Sequence, residues 1–265
     1  MSGFQNGWQV LIQNFPPKPK FKTDQIPDLS GRVAIVTGGN GWIGYETAKV
    51  LLQHGTKVYI AARSKSKADA AIAALAQDTG KDALFLELDL ASIWGTNVLG
   101  HFYLAELLLP ALAAAGGARV VTTSSAGAYL GTLEYATMRD GPARRAKTTE
   151  ELYYQSKLGN AVVAHQAAKR YADKGVVSIS VNPGKAPRLF GRRTNATILQ
   201  PAPFGALTQL FAATMPEAAQ YNGEFLIPYA RLGKCRKEVY DDAVGEKLWK
   251  CLEGEVRAFE SVIPE

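Results

Sequence analysis

Residues 32–44 read RVAIVTGGNGWIG, and the rest of the chain is ordered around that stretch. Val33 to Thr37 is a short β-branched run of the kind that forms a buried parallel strand. Glycines follow it, and YETAKVLLQHG continues the turn as a helix that Gly55 ends. Strand, glycine turn and helix in that order make a nucleotide-binding turn, because glycine lets backbone N–H groups approach a phosphate at the positive end of the helix. Trp42 stands where that approach should be closest.

Outward from this stretch the pattern repeats. KVYIAAR reads as a second strand, SKADAAIAALAQDTG as a helix with a glycine stop, and DALFLELDL as a third strand. Then come the helix GTNVLGHFYLAELLLPALAAAGG, the strand ARVVTTSS, a long helix from TEELYY to ADKG, and the strand VVSISVNPG. PFGALTQLFAATM, GEFLIPYA and EKLWKCLEGEVRAF add a helix, a last strand and a closing helix. Such alternation predicts an α/β fold, a doubly wound parallel sheet with helices on both faces. It also predicts that RVAIVTG, KVYIAA, ARVVTT and VVSISV share one sheet. Residues 31–265 form the domain and residues 1–30 an N-terminal arm. In the arm, Phe4, Trp8, Leu11, Ile12 and Phe15 are spaced like one face of a short amphipathic helix, expected to dock on the domain rather than on lipid.

Composition narrows the class. The 265 residues are 47% hydrophobic and 20% charged, the balance of a soluble globular chain. The net charge is +6, but the cations are scattered apart from RRAK (144–147) and RLFGRR (188–193), so no nucleic-acid partner is expected. Cys235 and Cys251 have no metal-ligand spacing, which predicts reduced thiols, no metal site and a cytoplasmic location. The N-terminus lacks a signal-peptide pattern. LAELLLPALAAAGG contains Glu106 and reads as too short to span a membrane.

Tyr153 and Lys157 are four residues apart on a predicted helix and so lie on one face, where the ammonium favours ionisation of the phenol. A phenol of ordinary pKa, ~10, is a poor base at neutral pH, and such a neighbour fits it for proton transfer. Tyr154 is also within helical reach of Lys157. Arg63 directly follows the second strand, where an acid would bind the ribose 2′-hydroxyl of NAD; a guanidinium there pairs with a 2′-phosphate, which favours NADP over NAD.

The ordered series TGGNGWIG, LDL, GTNVLGHF, VVTTSS, YYQSK and VNPG resembles the short-chain dehydrogenase/reductase family. GALTQLFAATMPEA and IPYARLG are similar to its retinol-dehydrogenase-like branch. The resemblance covers most of residues 30–260 and implies a nicotinamide cofactor with hydride transfer between a small hydrophobic alcohol and a ketone or aldehyde. It implies Tyr153 as the acid/base, Lys157 as its partner, Ser125 as the group that binds the substrate oxygen, and Asn97 as the holder of a relay water. It assigns cofactor contacts to Gly38, Asn40, Trp42, Ile43, Gly44, Arg63, Asp89, Asn97, Tyr153, Lys157, Pro183 and Gly184. His101 matches no family role and reads as structural or exposed.

Three departures stand against that pattern. Trp42 falls on the family's middle glycine, so the indole either blocks the pyrophosphate or swings away at a cost. LDLASIWGTNVLG passes from the third strand straight to the Asn97 helix, without the crossover helix and the strand ending in Asn-Asn-Ala-Gly, a unit of about 30 residues or more. The sheet then either closes up in the order 3-2-1-5-6-7 or keeps a slot. NPGKAPRLF lacks the Thr that holds the nicotinamide amide. The chain therefore reads as an NADP-dependent oxidoreductase by descent with poor turnover, or as a non-catalytic dinucleotide-binding or interaction protein.

Overall fold

The computed structural model describes residues 3–88, 93–184 and 201–261, with side chains from residue 6 onward. Helix α1 (Gly3–Asn14) precedes β1 (Val33–Thr37), α2 (Trp42–Gln53), β2 (Lys57–Ala62), α3 (Lys65–Thr79) and β3 (Leu84–Glu87). After a π-helical turn at Gly95–Leu99 come α4 (Gly100–Ala114), β4 (Arg119–Thr123), the short α5 (Pro142–Arg145), α6 (Thr149–Arg170) and β5 (Val177–Val181). The chain ends with α7 (Ala202–Thr214), β6 (Phe225–Ile227), β7 (Arg231–Gly233) and α8 (Asp242–Glu260). Local signals account for the helix ends. The Ser64 hydroxyl accepts from Lys67 N to start α3, Gly80 ends it in the left-handed region at φ 69°, and a Thr148/Glu151 capping box starts α6.

The strands fall into two sheets, β1-β2-β3 and β4-β5-β6-β7. All pairings are parallel except β6 with β7, and the register of the first pair runs from Val33 opposite Lys57 to Thr37 opposite Ala61. This corrects the expectation that RVAIVTG, KVYIAA, ARVVTT and VVSISV share one sheet: β1 and β4 are not hydrogen-bonded to each other, and a slot separates them. Helix packing explains why it stays open. Helix α2 rests on β1 and β2, α7 rests on β4 and β5, and the two helices pack against each other. Packed helices sit about 8–10 Å apart, whereas neighbouring strands are about 4.8 Å apart. The helix pair is thus spaced for a sheet with one more strand beneath it.

One apolar layer runs along one face of both sheets, and a second covers the other face of the β4-β5-β6-β7 sheet. The first joins Leu52, Val58, Ile60 and Leu75 of the first sheet and its helices to Ile179, Val181 and Leu210 of the second. The other packs Trp94, Val98, Phe102, Leu158, Val162 and Trp249 between α4, α6 and α8. Fully burying such a side chain contributes about 1.5–3 kcal/mol. Cover on both faces of the second sheet defines a doubly wound fold even though the strands are split.

Two sequence expectations fail here. Gly95–Ala114 is a continuous helix of 20 residues, so by length and composition it is long and apolar enough to cross a membrane, contrary to the reading of that stretch as too short. The π-helical turn supplies the extra length, and Trp94, Val98 and Phe102 hold it against α6 and α8. The second correction concerns α1. The helix docks on the domain, but not through the whole stripe: Trp8, Leu11 and Phe15 are 56%, 48% and 67% exposed, while Ile12 is half-buried. The helix is held instead by Val10 and by Gln13, which is 1% exposed. The Phe4 side chain lies outside the described residues.

Candidate active site

The glycine turn keeps the backbone its sequence requires. Gly38 sits at φ 67°, and its N–H donates to Ala61 O at 2.8 Å, tying the turn to the end of β2. A Cβ at Gly44 would lie 2.4 Å from Gly38 O, so only glycine lets α2 start this close to the strand. Trp42 opens α2 at φ 52°, a left-handed conformation that costs a non-glycine residue about 1–2 kcal/mol. Its indole is 48% exposed. The tryptophan is therefore accommodated at the start of α2 with a strained backbone and an indole half in solvent. Asn40 is half-buried within the turn. Ile43 packs on α7, where a Cβ on Gly205 would come within 2.7 Å of Ile43 Cδ1 and 3.9 Å of Pro183 O. The turn, α7 and the Pro183–Gly184 loop therefore converge. Arg63 is exposed one residue beyond β2, on the strand that the turn is tied to. Asp89, the absent-Thr loop and the Arg188–Arg193 cluster lie outside the described residues.

The acid/base candidates cluster at the ends of β4 and β5. Ser125 follows β4 and caps a 3-10 turn, its hydroxyl accepting from Gly127 N at 3.1 Å. It also hydrogen-bonds the Tyr153 phenol, which favours the ionised phenol, but burial outweighs this and holds the Tyr153 pKa above its ordinary value. Lys157 Nζ lies 5.7 Å from the Tyr153 ring centroid and donates to Thr123 O at 3.0 Å. Burial pushes the Lys157 pKa down to about 8. The expected lowering of the phenol by the ammonium is therefore not the balance reached here, since desolvation acts against both charged forms. Tyr154 packs edge-on against Tyr153, and Gly127 leaves room for both: a Cβ there would meet Tyr154 Cδ1 at 2.7 Å. Asn97 donates to Ser156 Oγ at 2.9 Å, one residue from Lys157, and Ser156 Oγ donates to Tyr153 O at 2.7 Å.

Two further residues, to which the sequence assigns no role, shape the site. His101, on α4, bridges the slot. Its Nδ1 lies 2.6 Å from Thr96 O, a carbonyl that can only accept, so Nδ1 carries the proton and Nε2 accepts from Thr37 Oγ1 at 2.9 Å. Burial holds its pKa below the usual histidine value. Gln13 of α1 donates to Tyr129 OH at 2.9 Å, and Asn182 Nδ2 donates to Gln13 Oε1 at 2.8 Å. Tyr129 ends the turn that Ser125 begins, and Asn182 precedes Pro183 and accepts from Gly184 N at 3.0 Å. One polar side chain on an apolar-looking helix thus reaches both loops of the site, which no spacing rule would single out.

The turn has the backbone of a phosphate-binding turn: Gly38 stands at φ 67° beside open space, and Gly44 lets the start of α2 close on Gly38 O. The acid/base candidates and the Pro183–Gly184 loop stand at the ends of β4 and β5, whereas the glycine turn and Arg63 belong to the β1-β2-β3 sheet, which is not hydrogen-bonded to the other.

This fold and this pair of half-sites define a nucleotide-binding oxidoreductase scaffold. A sequence model of the short chain dehydrogenase family matches residues 32–95, ending at the point where the third strand gives way to α4. A short-chain dehydrogenase/reductase of Armillaria gallica is 45% identical over 94% of this chain and 97% of its own length. That alignment occupies 303 positions, so roughly 50 positions of the relative have no counterpart in this chain, enough for the helix-and-strand unit. Among solved structures, a protein of Mycobacterium paratuberculosis superposes with a TM-score of 0.68 at 24% identity, covering 88% of this chain and 96% of that one. A short chain dehydrogenase of Shigella flexneri complexed with NADP gives 0.62 at 16%, covering 76% and 98%. The chain belongs to the short-chain dehydrogenase/reductase family.

Proposed function

We propose that this chain binds NADP and carries the acid/base half of a carbonyl reductase or alcohol dehydrogenase, with turnover limited by the slot between β1 and β4. The observation that carries the reading is the Ser125–Tyr153–Lys157 cluster, kept together beside the Pro183–Gly184 loop. The cofactor, when bound, supplies or accepts the hydride at the carbon that bears the substrate oxygen. Ser125 orients that oxygen. Tyr153 gives it a proton in reduction, or takes one in oxidation, and Lys157 stabilises the tyrosinate left behind. Asn97, hydrogen-bonded to Ser156 beside Lys157, supports the return of the proton. A small hydrophobic alcohol, ketone or aldehyde suits this chemistry. The buried Cys235, its thiol pushed up to about 12, accords with a cytoplasmic protein of reduced cysteines.

The preference for NADP rests on Arg63 at the end of β2, and the NADP held by the Shigella flexneri protein is in keeping with it. Titration of the purified chain with NADPH and NADH, read by nucleotide fluorescence, tests it. NADPH should bind more tightly, and Arg63→Ala should remove about 1.5–3 kcal/mol of that difference. Equal affinity for both nucleotides overturns the assignment. The slot itself favours a second reading, a dinucleotide-binding protein without turnover, which the same titration combined with an aldehyde and ketone panel distinguishes.

A further inference from the structure

The outward face of α1 has a chemistry that the reading above leaves unused. Trp8 and Leu11, three residues apart, share one side of the helix, Phe15 follows directly after its end at Asn14, and all three are exposed. Gln13 and Val10 hold the opposite side against the body. The apolar face is therefore fixed in its outward direction by buried hydrogen bonds on the other side.

Charge follows immediately. Phe15 leads into PPKPKFK, where Lys18, Lys20 and Lys22 are exposed while Phe21 between them is buried in the core. Alternation of that kind belongs to an extended segment, and Lys22 has extended backbone at φ −128° and ψ 155°. Lys18 is three positions past Phe15, so the lysine row begins within about 10 Å of the aromatic face. No acidic residue occurs before Asp24. Lys18 and Lys20 also border a cleft of about 350 Å³, to which Arg231 adds a third cation and Glu217 the sole acid, with Phe21, Phe211 and Met215 forming an apolar wall.

We infer that α1 and the lysine row are a docking surface for an anionic bilayer. Trp8, Leu11 and Phe15 enter the interfacial layer, and Lys18, Lys20 and Lys22 meet the headgroup phosphates. A tryptophan and a phenylalanine beside a lysine cluster is the combination in which apolar insertion and headgroup attraction add, each lysine contributing about fivefold in affinity near an anionic surface. Gln13 joins α1 to the Ser125–Tyr129 turn and to Asn182 before the Pro183–Gly184 loop, so docking brings the bilayer beside the candidate active site. The inference concerns the surface alone and does not depend on turnover.

Co-sedimentation of the full chain with phosphatidylcholine vesicles, with and without phosphatidylserine, tests it. The chain should sediment with the phosphatidylserine vesicles and be released by salt. A Trp8→Ser, Leu11→Ser, Phe15→Ser variant and a Lys18→Glu, Lys20→Glu, Lys22→Glu variant should each lose about tenfold or more in affinity while melting at the wild-type temperature. Absence of sedimentation, equal binding to neutral and anionic vesicles, or binding that survives both triple variants overturns the docking surface. So does a wild-type dimer in size-exclusion chromatography that becomes a monomer in the serine variant, because a second copy would then cover the face.

Discussion

His101 Nε2 lies 2.9 Å from Thr37 Oγ1 and joins the helix of the Asn97 motif to the end of the first strand across the gap between the two sheets. Its other nitrogen is spent on Thr96 O, so the ring is a fixed, neutral bridge. Where the sheet is unpaired, this side chain does part of the work of the strand hydrogen bonds.

Replacing His101 with Ala should therefore destabilise the fold by about 0.5–1.5 kcal/mol, the net worth of a part-buried hydrogen bond to Thr37. The pH dependence has a definite sign. A histidine whose folded pKa is depressed binds fewer protons in the native than in the unfolded state, so its contribution is full above the unfolded value of 6.5 and is lost as pH falls below it. Urea midpoints at pH 7 and pH 5 should move apart in the wild type and by less in His101→Gln. Identical shifts in both proteins would falsify the bridge.

Trp42→Gly should raise stability by about 1 kcal/mol, because glycine takes φ 52° without strain and the indole is already half in solvent. It should also tighten NADPH binding, since that turn position lies nearest the pyrophosphate. Thermal melts and a fluorescence titration measure the two effects separately. A variant that melts lower than the wild type contradicts the strain, and unaltered affinity contradicts the placement of the phosphate.

Lys157 is held against its charged form, with a folded pKa of about 8 against 10.5 for the free side chain. The unfolded chain then binds more protons than the native one between those values, and stability gains as pH rises through that window. The group is not wholly enclosed by surface area, so the cost at pH 7 is on the order of 1–3 kcal/mol. Lys157→Met should be the more stable protein at pH 7, and its advantage should shrink toward pH 10. An advantage that does not vary with pH removes the ammonium as its cause.

Turnover should be very low in the chain as it stands and should appear when a crossover helix and a strand ending in Asn-Asn-Ala-Gly are inserted between Ser92 and Trp94. Displacing the reacting carbon by about 1 Å can cost ~100-fold in rate, and an open slot leaves one wall of the nicotinamide pocket without a strand. NADPH oxidation on a panel of aldehydes and ketones measures both proteins. Robust turnover without the insertion shows that the slot is harmless. Turnover in the repaired chain that survives Tyr153→Phe shows that another group supplies the proton.

The linear order of residues was enough for the fold class, because β-branched runs alternating with helix patterns bury themselves in few ways other than a doubly wound sheet. The spacing of Tyr153 and Lys157 put them on one face of α6 for a purely helical reason, and the abrupt passage from LDL to GTNVLG already marked a missing unit. Three outcomes belonged to the tertiary structure alone. The slot between β1 and β4 stays open because the packing distance of α2 and α7 exceeds the spacing of strands, a mismatch that no single segment encodes. The phenol and the ammonium are both held toward neutrality because burial depends on what surrounds them and not on their separation along the helix. The direction of α1 was decided by Gln13, whose bonds to Tyr129 and Asn182 join residues more than 100 positions apart in the chain and outweigh the apolar stripe on the same helix.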